Sequence, residues 1–383
     1  MAVLVLGTGL PTPLYAVYQA RFGFSDLVVT LVFAVYCGTL VLALPLFGPL
    51  ADAVGPRRVA VFGLVLAVGG ATLLALADGV GGLYAGRAFQ GLAVGAASGA
   101  LTAGLVRAEP DGDRERASAV ASIALCGGAG LGPMLAGALA QYAPAPRVLC
   151  YVVETGLLLA LALSGAPTLP GRTARVRWRP ARPRVPAAIR RPFLAAASMS
   201  ALAWAVAALF LTLTPAYTTS LLRTHDLLVA GLSSGLLLLT AACVQPAGAR
   251  LGQRRARRAG LVLLALGSTI TICLRWIPSL PLPLAGVVVA GSGQGLAFMG
   301  AVRQVNEIAP DGSRAGVLSA FYVVTYVAEA LPVIVVGLLA NHVGLEPAVD
   351  AFLAVAVTAC LCALFASRGQ ATFFIRNPYR VPW

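Results

Sequence analysis

Apolar positions along this chain come in long, nearly unbroken runs separated by short stretches of glycine, proline and charge. Such runs predict membrane-spanning helices, because a helix needs about 20 apolar residues to cross the hydrocarbon core. Twelve of them can be drawn, at Val3–Val17, Leu27–Phe47, Val59–Ala77, Val80–Val106, Ala117–Gln141, Val148–Pro167, Phe193–Tyr217, Leu227–Ala247, Ala259–Ile277, Leu282–Val302, Ala315–Ala340 and Val349–Ala366. The first is short for a span, which predicts a tilted or truncated helix or a start placed too late. No basic segment precedes it, so it does not read as a cleavable signal.

Composition agrees: of 383 residues, 59% are hydrophobic and only 11% charged, and the mean hydropathy is +0.86. The class is therefore an all-α integral membrane protein with short connections. A net charge of +14 would suggest nucleic acid in a soluble chain, but its distribution excludes that reading. All 28 basic residues are arginines. Apart from Arg21, Arg147, Arg223 and Arg275, and Arg87 inside a helix, they lie in the connections after even-numbered helices and in the C-terminal tail. By the positive-inside bias both termini are expected in the cytoplasm.

The longest connection, rich in arginine and proline, divides the chain. Residues 1–167 form an N-terminal six-helix half, 168–192 a cytoplasmic linker, 193–367 a C-terminal half and 368–383 a cytoplasmic tail. The halves repeat one another. Pro110-Asp111-Gly112-Asp113-Arg114 recurs as Pro310-Asp311-Gly312-Ser313-Arg314, Gln90-Gly91-Leu92-Ala93 as Gln294-Gly295-Leu296-Ala297, and Gly55-Pro56-Arg57-Arg58 as Gly252-Gln253-Arg254-Arg255. Ordered matches at a nearly constant offset imply two parallel, pseudo-symmetric halves with a site at their interface.

Seven cysteines without ligand spacing and two histidines give no expectation of a metal site, and no span clusters the residues an enzyme would need. What chemistry there is lies in a few charged and aromatic positions. Gly48-Pro49-Leu50-Ala51-Asp52-Ala53-Val54-Gly55-Pro56-Arg57-Arg58 packs a turn, an acid and two arginines between two apolar runs. It resembles the loop between the second and third helices of the major facilitator superfamily, with Pro56 where that family usually has a basic residue and Ala53 where it often has another. The resemblance implies a gating loop: Gly48 and Gly55 make the turn, Asp52 caps or pairs across a helix end, and Arg57 and Arg58 face the anionic leaflet. The second copy has Ala249 in place of Asp52, so only the first can form an acid-dependent latch.

Two further segments resemble the same family. Arg87-Ala88-Phe89-Gln90-Gly91 is similar to its fourth-helix pattern, whose arginine is associated with proton coupling; the second repeat has Gly291 there. Gly128, Gly132, Pro133 and Gly137 resemble its fifth-helix pattern, which marks exporters of the antiporter type. Small residues let helices approach closely, and Pro133 permits a bend.

Two carboxylates lie well inside spans. Glu329 is about 21 Å along its helix at 1.5 Å per residue, near mid-membrane. A carboxyl at that depth can exchange a proton or pair with a cationic substrate. Tyr322 and Tyr326 share its helical face. Glu154 lies at a depth close to that of Arg87, about 10 Å, which permits an Arg87–Glu154 pair but also a carboxylate turned to the headgroups. Arg87 can likewise snorkel to the surface. Prolines in the first helix expose carbonyls that a cavity-lining face would satisfy. Tyr15 and Trp204 are aromatic candidates for stacking on an organic substrate.

The resemblance extends over nearly the whole chain and is nearest to the drug:proton antiporter, or multidrug efflux, group. It implies proton-coupled export of small amphipathic or drug-like compounds by alternating access across a bacterial cytoplasmic membrane. The expected partners are a small organic substrate, protons and the bilayer, with no nucleic acid, no cofactor beyond the proton gradient, and a monomeric state. The alternatives are a facilitator or importer of a sugar or other metabolite, against which the fifth-helix pattern and the scarcity of intramembrane Asn and Gln argue, and an uncoupled lipid-moving or sensor protein.

Overall fold

The computed structural model describes residues 1–108, 114–164, 178, 183–310 and 314–374, some of them, including Asp52 and 366–374, without side chains. The first repeat match, most of the linker and the end of the tail lie outside the described residues. Every regular element described is helical.

Fourteen α-helices are described, and they form twelve rods. The first is broken: α1 (Ala2–Gly9) is followed by a 3-10 turn at Thr12–Leu14 and then α2 (Tyr15–Phe22). Pro11 and Pro13 cause the break, because neither has an N–H to continue the ladder. α3 (Asp26–Val54), α4 (Pro56–Ala75), α5 (Val80–Ala108), α6 (Arg114–Tyr142) and α7 (Leu149–Ser164) complete the first half. The seventh rod, expected as one helix, is broken as the first is: α8 (Arg190–Thr212) gives way to α9 (Thr214–Leu222) at Pro215. Then come α10 (Leu227–Ala249), α11 (Gln253–Cys273), α12 (Pro281–Ile308), α13 (Arg314–Val343) and α14 (Leu345–Phe374), the last running past the expected start of the tail.

Among the described residues nine helices are long and apolar enough to cross a membrane. The broken first rod, the glycine-rich α5 with its arginine, and the shorter α7 make up the twelve. Large apolar side chains on the rim, such as Leu42, Val65, Leu163 and Val355, are exposed, as a surface against lipid tails requires.

The turn at Gly48–Arg58 is narrower than the sequence suggested. α3 continues through Pro45 and Pro49 to Val54, and the reversal is made by Gly55 alone at φ 99°. A side chain would be strained there. Gly48 sits within the helix beside open space. Arg57 and Arg58 are exposed on the first turn of α4, while the Asp52 side chain lies outside the described residues.

In the first half α5 packs on α3 and α4, and α1 packs on α6. In the second α12 packs on α8, α10 and α11, and α14 on α11 and α13. Two helix pairs join the halves: α6 with α10, and α3 with α13. In the first pair Gly130 lies against the backbone of Gly235 and Leu239, and Gly137 against that of Leu227 and Gly231. The second closes at Gly337, which packs on Thr30. Backbone contact of this kind is available only to glycine or similarly small residues.

Candidate functional site

The broken first rod ends α1 inside the bundle, where the Gly7 carbonyl keeps only a bond of 3.3 Å from Leu10 N. Pro11 cannot donate to the Gly7 carbonyl one turn back. Gln90, on α5, donates to Gly7 O from Nε2 at 2.8 Å. Arg87, one turn away, donates from Nη1 to Thr8 O at 2.7 Å and to Gln90 Oε1 at 2.8 Å. A cation at the C-terminal end of a helix also suits its dipole. The guanidinium lies over the Tyr36 ring at 4.6 Å and the Phe33 ring at 5.7 Å, each a cation–π contact. Only 1% of Arg87 is exposed, so it does not snorkel to the surface.

Glu154 is not its partner. It is as deeply buried, packed against Gly7 so closely that a Cβ there would overlap its carboxylate, and its Oε2 has no hydrogen-bond partner. Neither alternative for Glu154 holds: it forms no ion pair with Arg87 and does not face the headgroups.

Glu329 sits at the middle of α13, buried, with Oε2 unpartnered. It lies within electrostatic reach of Arg87, Tyr36, Cys37 and Tyr326 without a salt bridge to the arginine. Tyr322 and Tyr326 stack at 6.5 Å, and the rings continue through Phe321 and Phe298 to Trp204, which meets Phe298 edge-on at 5.4 Å. Trp204 and the Glu329 group are thus joined by an aromatic run. Tyr15 belongs to the first-half core, its hydroxyl buried and unpartnered.

The fifth-helix pattern turns out to be two-faced. Gly128 and Gly132 accept the backbone of α1 at Ala2 and Leu6, and Pro133 packs under Gly9. Gly130, between them, and Gly137 face α10. The recipient glycines, Gly231 and Gly235, carry the same four-residue spacing and went unnoticed in the sequence. Among the described residues no group of His, Cys, Asp or Glu could hold a metal.

The family model described as Major Facilitator Superfamily matches residues 1–258 and 223–380. The chain belongs to this superfamily. No curated protein matches it. Solved structures share its fold: a POT family transporter in complex with 5-aminolevulinic acid has TM-score 0.74 and 14% identity, covering 96% of this chain and 94% of that one. A POT family transporter with a thioalcohol-conjugated peptide has TM-score 0.75 at 14% identity over 96% and 94% of the two chains. A mutant POT peptide transporter with sulfate has TM-score 0.76 at 16% identity over 97% and 92%.

Within this superfamily member the repeat is broken where the chemistry is. Gln294, the repeat mate of Gln90, is fully buried, and both atoms of its amide lack partners. The arginine position holds Gly291, where a side chain would run into α10 at Leu237 and Thr240. Next to the break between α8 and α9, Thr212 donates to Ala208 O at 2.7 Å and Thr214 to Leu209 O at 3.3 Å, with no side chain from α12 involved. Gln294 is therefore left without the work Gln90 does. Gln90→Leu is expected to destabilise the protein by about 1–3 kcal/mol, because it strands an arginine N–H and takes from the Gly7 carbonyl the shorter of its two bonds, whereas Gln294→Leu is neutral or stabilising. Thermal unfolding of the two variants in detergent checks this; equal losses would show that Gln294 has a protein partner.

Proposed function

We propose that this protein is a proton-coupled exporter of small amphipathic organic compounds in a bacterial cytoplasmic membrane, working as a monomer with both termini cytoplasmic. Glu329 is the carboxylate that carries the proton or meets the cationic end of the substrate. The observation that carries this reading is its unpartnered carboxyl at the middle of α13, the helix that joins the halves along α3, beside an aromatic run suited to flat apolar groups. A buried ionisable group inside a span is costly and is retained for use. Arg87, already held by Thr8, Gln90 and two rings, serves to fix the end of α1 near Glu329. Glu154 is a second proton site against the same half-helix. Alternating access moves the halves about the α6–α10 and α3–α13 contacts, with the 1–167 and 193–367 units as the moving bodies and the Gly55 turn as part of the gate.

The likeness in fold to POT family transporters favours one other reading, proton-coupled movement of peptides. A zwitterionic peptide needs a free cation for its carboxyl end, and the buried Arg87 is engaged at Nη1 by Thr8 and Gln90, with its Nε buried and unpartnered. The two readings separate in inside-out vesicles holding an acid interior, with the organic compounds added outside and dipeptides enclosed in the lumen. An antiporter exchanges the outgoing proton for incoming solute, whereas a peptide symporter carries both outward. Lipophilic cations or neutral antibiotics are expected to discharge the gradient as they are pumped, and dipeptides to have no effect. A response to dipeptides alone would replace the export reading with the peptide one.

A further inference from the structure

At the end of the bundle that carries few arginines, a cavity of about 330 Å³ separates the two broken rods. One wall comes from the first half, through Thr12, Pro13, Tyr15 and Ala16; the other from the second, through Thr212, Pro215 and Thr219. The two proline breaks thus face each other across one space. Its mouth holds Asp26, at the start of α3, and Asp226, at the start of α10. These acids are repeat mates: Asp26-Leu27-Val28-Val29 corresponds to Asp226-Leu227-Leu228-Val229.

Each acid has one oxygen engaged. Asp226 Oδ1 accepts from Leu228 N at 2.8 Å, capping α10, and Asp26 Oδ1 accepts from Gln19 Nε2 at 2.9 Å. Among the described residues neither has an arginine within ion-pair distance, although Arg21 and Arg223 stand exposed close by in sequence. The acids that do pair at this end are Asp350 and Glu346, both with Arg275. The rest of the lining is largely apolar, with Val29, Leu213, Leu227 and the ring of Tyr15, whose residue is 4% exposed and whose hydroxyl has no partner.

We propose that this cavity binds a small organic cation, a quaternary or protonated amine, between the carboxylates of Asp26 and Asp226 and over the apolar wall of the two proline breaks. Two unpaired negative charges at the mouth supply charge complementarity. The apolar lining suits a cation that carries hydrocarbon rather than a metal ion, which would require a shell of oxygen ligands. This goes beyond the export reading, since binding here needs neither Glu329 nor a proton gradient.

The test is equilibrium binding of radiolabelled benzyltrimethylammonium to the full-length protein in detergent. Asn caps helices as well as Asp does, so Asp226→Asn removes charge and keeps the cap of α10, and Asp26→Asn removes charge and keeps an oxygen to accept from Gln19. Each is expected to weaken binding about fivefold, and the double variant about twentyfold. Ala16→Trp, at an exposed position on the wall, is expected to abolish binding with both charges intact. Asp350→Asn is expected to leave affinity unchanged, and the double variant is expected to show the same fold loss whether or not Glu329→Gln is also present. Unaltered binding in the double variant overturns the site, as does an equal loss in Asp350→Asn. Binding lost in Glu329→Gln but kept in the double variant places the cation at the central carboxyl, which sinks this proposal and leaves the export reading standing. Binding that behaves as expected, with no proton movement in vesicles, supports the site and removes the export reading instead.

Discussion

Glu329→Gln is expected to reduce proton-coupled transport by about two orders of magnitude, the scale of losing a positioned proton-transfer group, while leaving the protein folded. The two halves of that expectation come from one observation. Glu329 Oε2 is buried and has no partner, so the carboxylate holds nothing together, and glutamine keeps its volume. A buried charge without a partner costs stability unless function retains it. Melting of Glu329→Gln in detergent should therefore be unchanged or higher than that of wild type. Gradient-driven transport in proteoliposomes should be close to background. Transport that survives would remove Glu329 from the mechanism. A variant that fails to fold would mean that Glu329 is bound to something the bundle needs.

Arg87 shows where charge-based reading of a sequence stops. Its depth pointed toward Glu154, because two opposite charges at one level in a membrane invite pairing. The partners are instead the Thr8 carbonyl, at the break that Pro11 and Pro13 make in the first rod, and Gln90, which itself donates to the Gly7 carbonyl. Broken ladders create acceptors that carry no letter in the sequence. The twelve rods, by contrast, were legible, since a span's length and apolarity are properties of the letters themselves. The break at Pro215 was missed because one proline in a long apolar run does not say whether the helix kinks or restarts. In the folded chain the helix ends at Thr212 and restarts at Thr214, with Pro215 in its first turn. The turn before α4 was drawn too wide for the opposite reason: Pro49 and Gly48 look like breakers, yet the helix absorbs both and only Gly55 takes a positive φ. The repeat that pairs Asp26 with Asp226 was not picked out in the sequence, and nothing short of the folded chain places them on one cavity.

The second large effect lies where the halves touch. Gly130→Ala and Gly235→Ala are each expected to destabilise the protein by about 2 kcal/mol or more, although alanine favours a helix over glycine by about 1 kcal/mol. The sign turns on what the new methyl group meets. At Gly130 it would press on Gly235 O and Leu239 N, and at Gly235 it would overlap Gly130 O and Met134. Backbone atoms cannot rotate away as a side-chain end can, so α6 and α10 must separate along the seam that joins the halves. Gly127, three residues earlier on α6, supplies the contrast: a Cβ there meets nothing within 4 Å. Gly127→Ala is expected to gain about 0.5–1 kcal/mol from helix propensity and reduced freedom of the unfolded chain. Thermal unfolding in detergent compares the three. If Gly130→Ala and Gly127→Ala melt together, the halves are not in backbone contact at that level. If they separate in the expected order, close approach of α6 and α10 rather than glycine's flexibility is what Gly130 supplies. Transport by Gly130→Ala should then fall further than its stability does, because the widened seam is the surface on which the halves must rock.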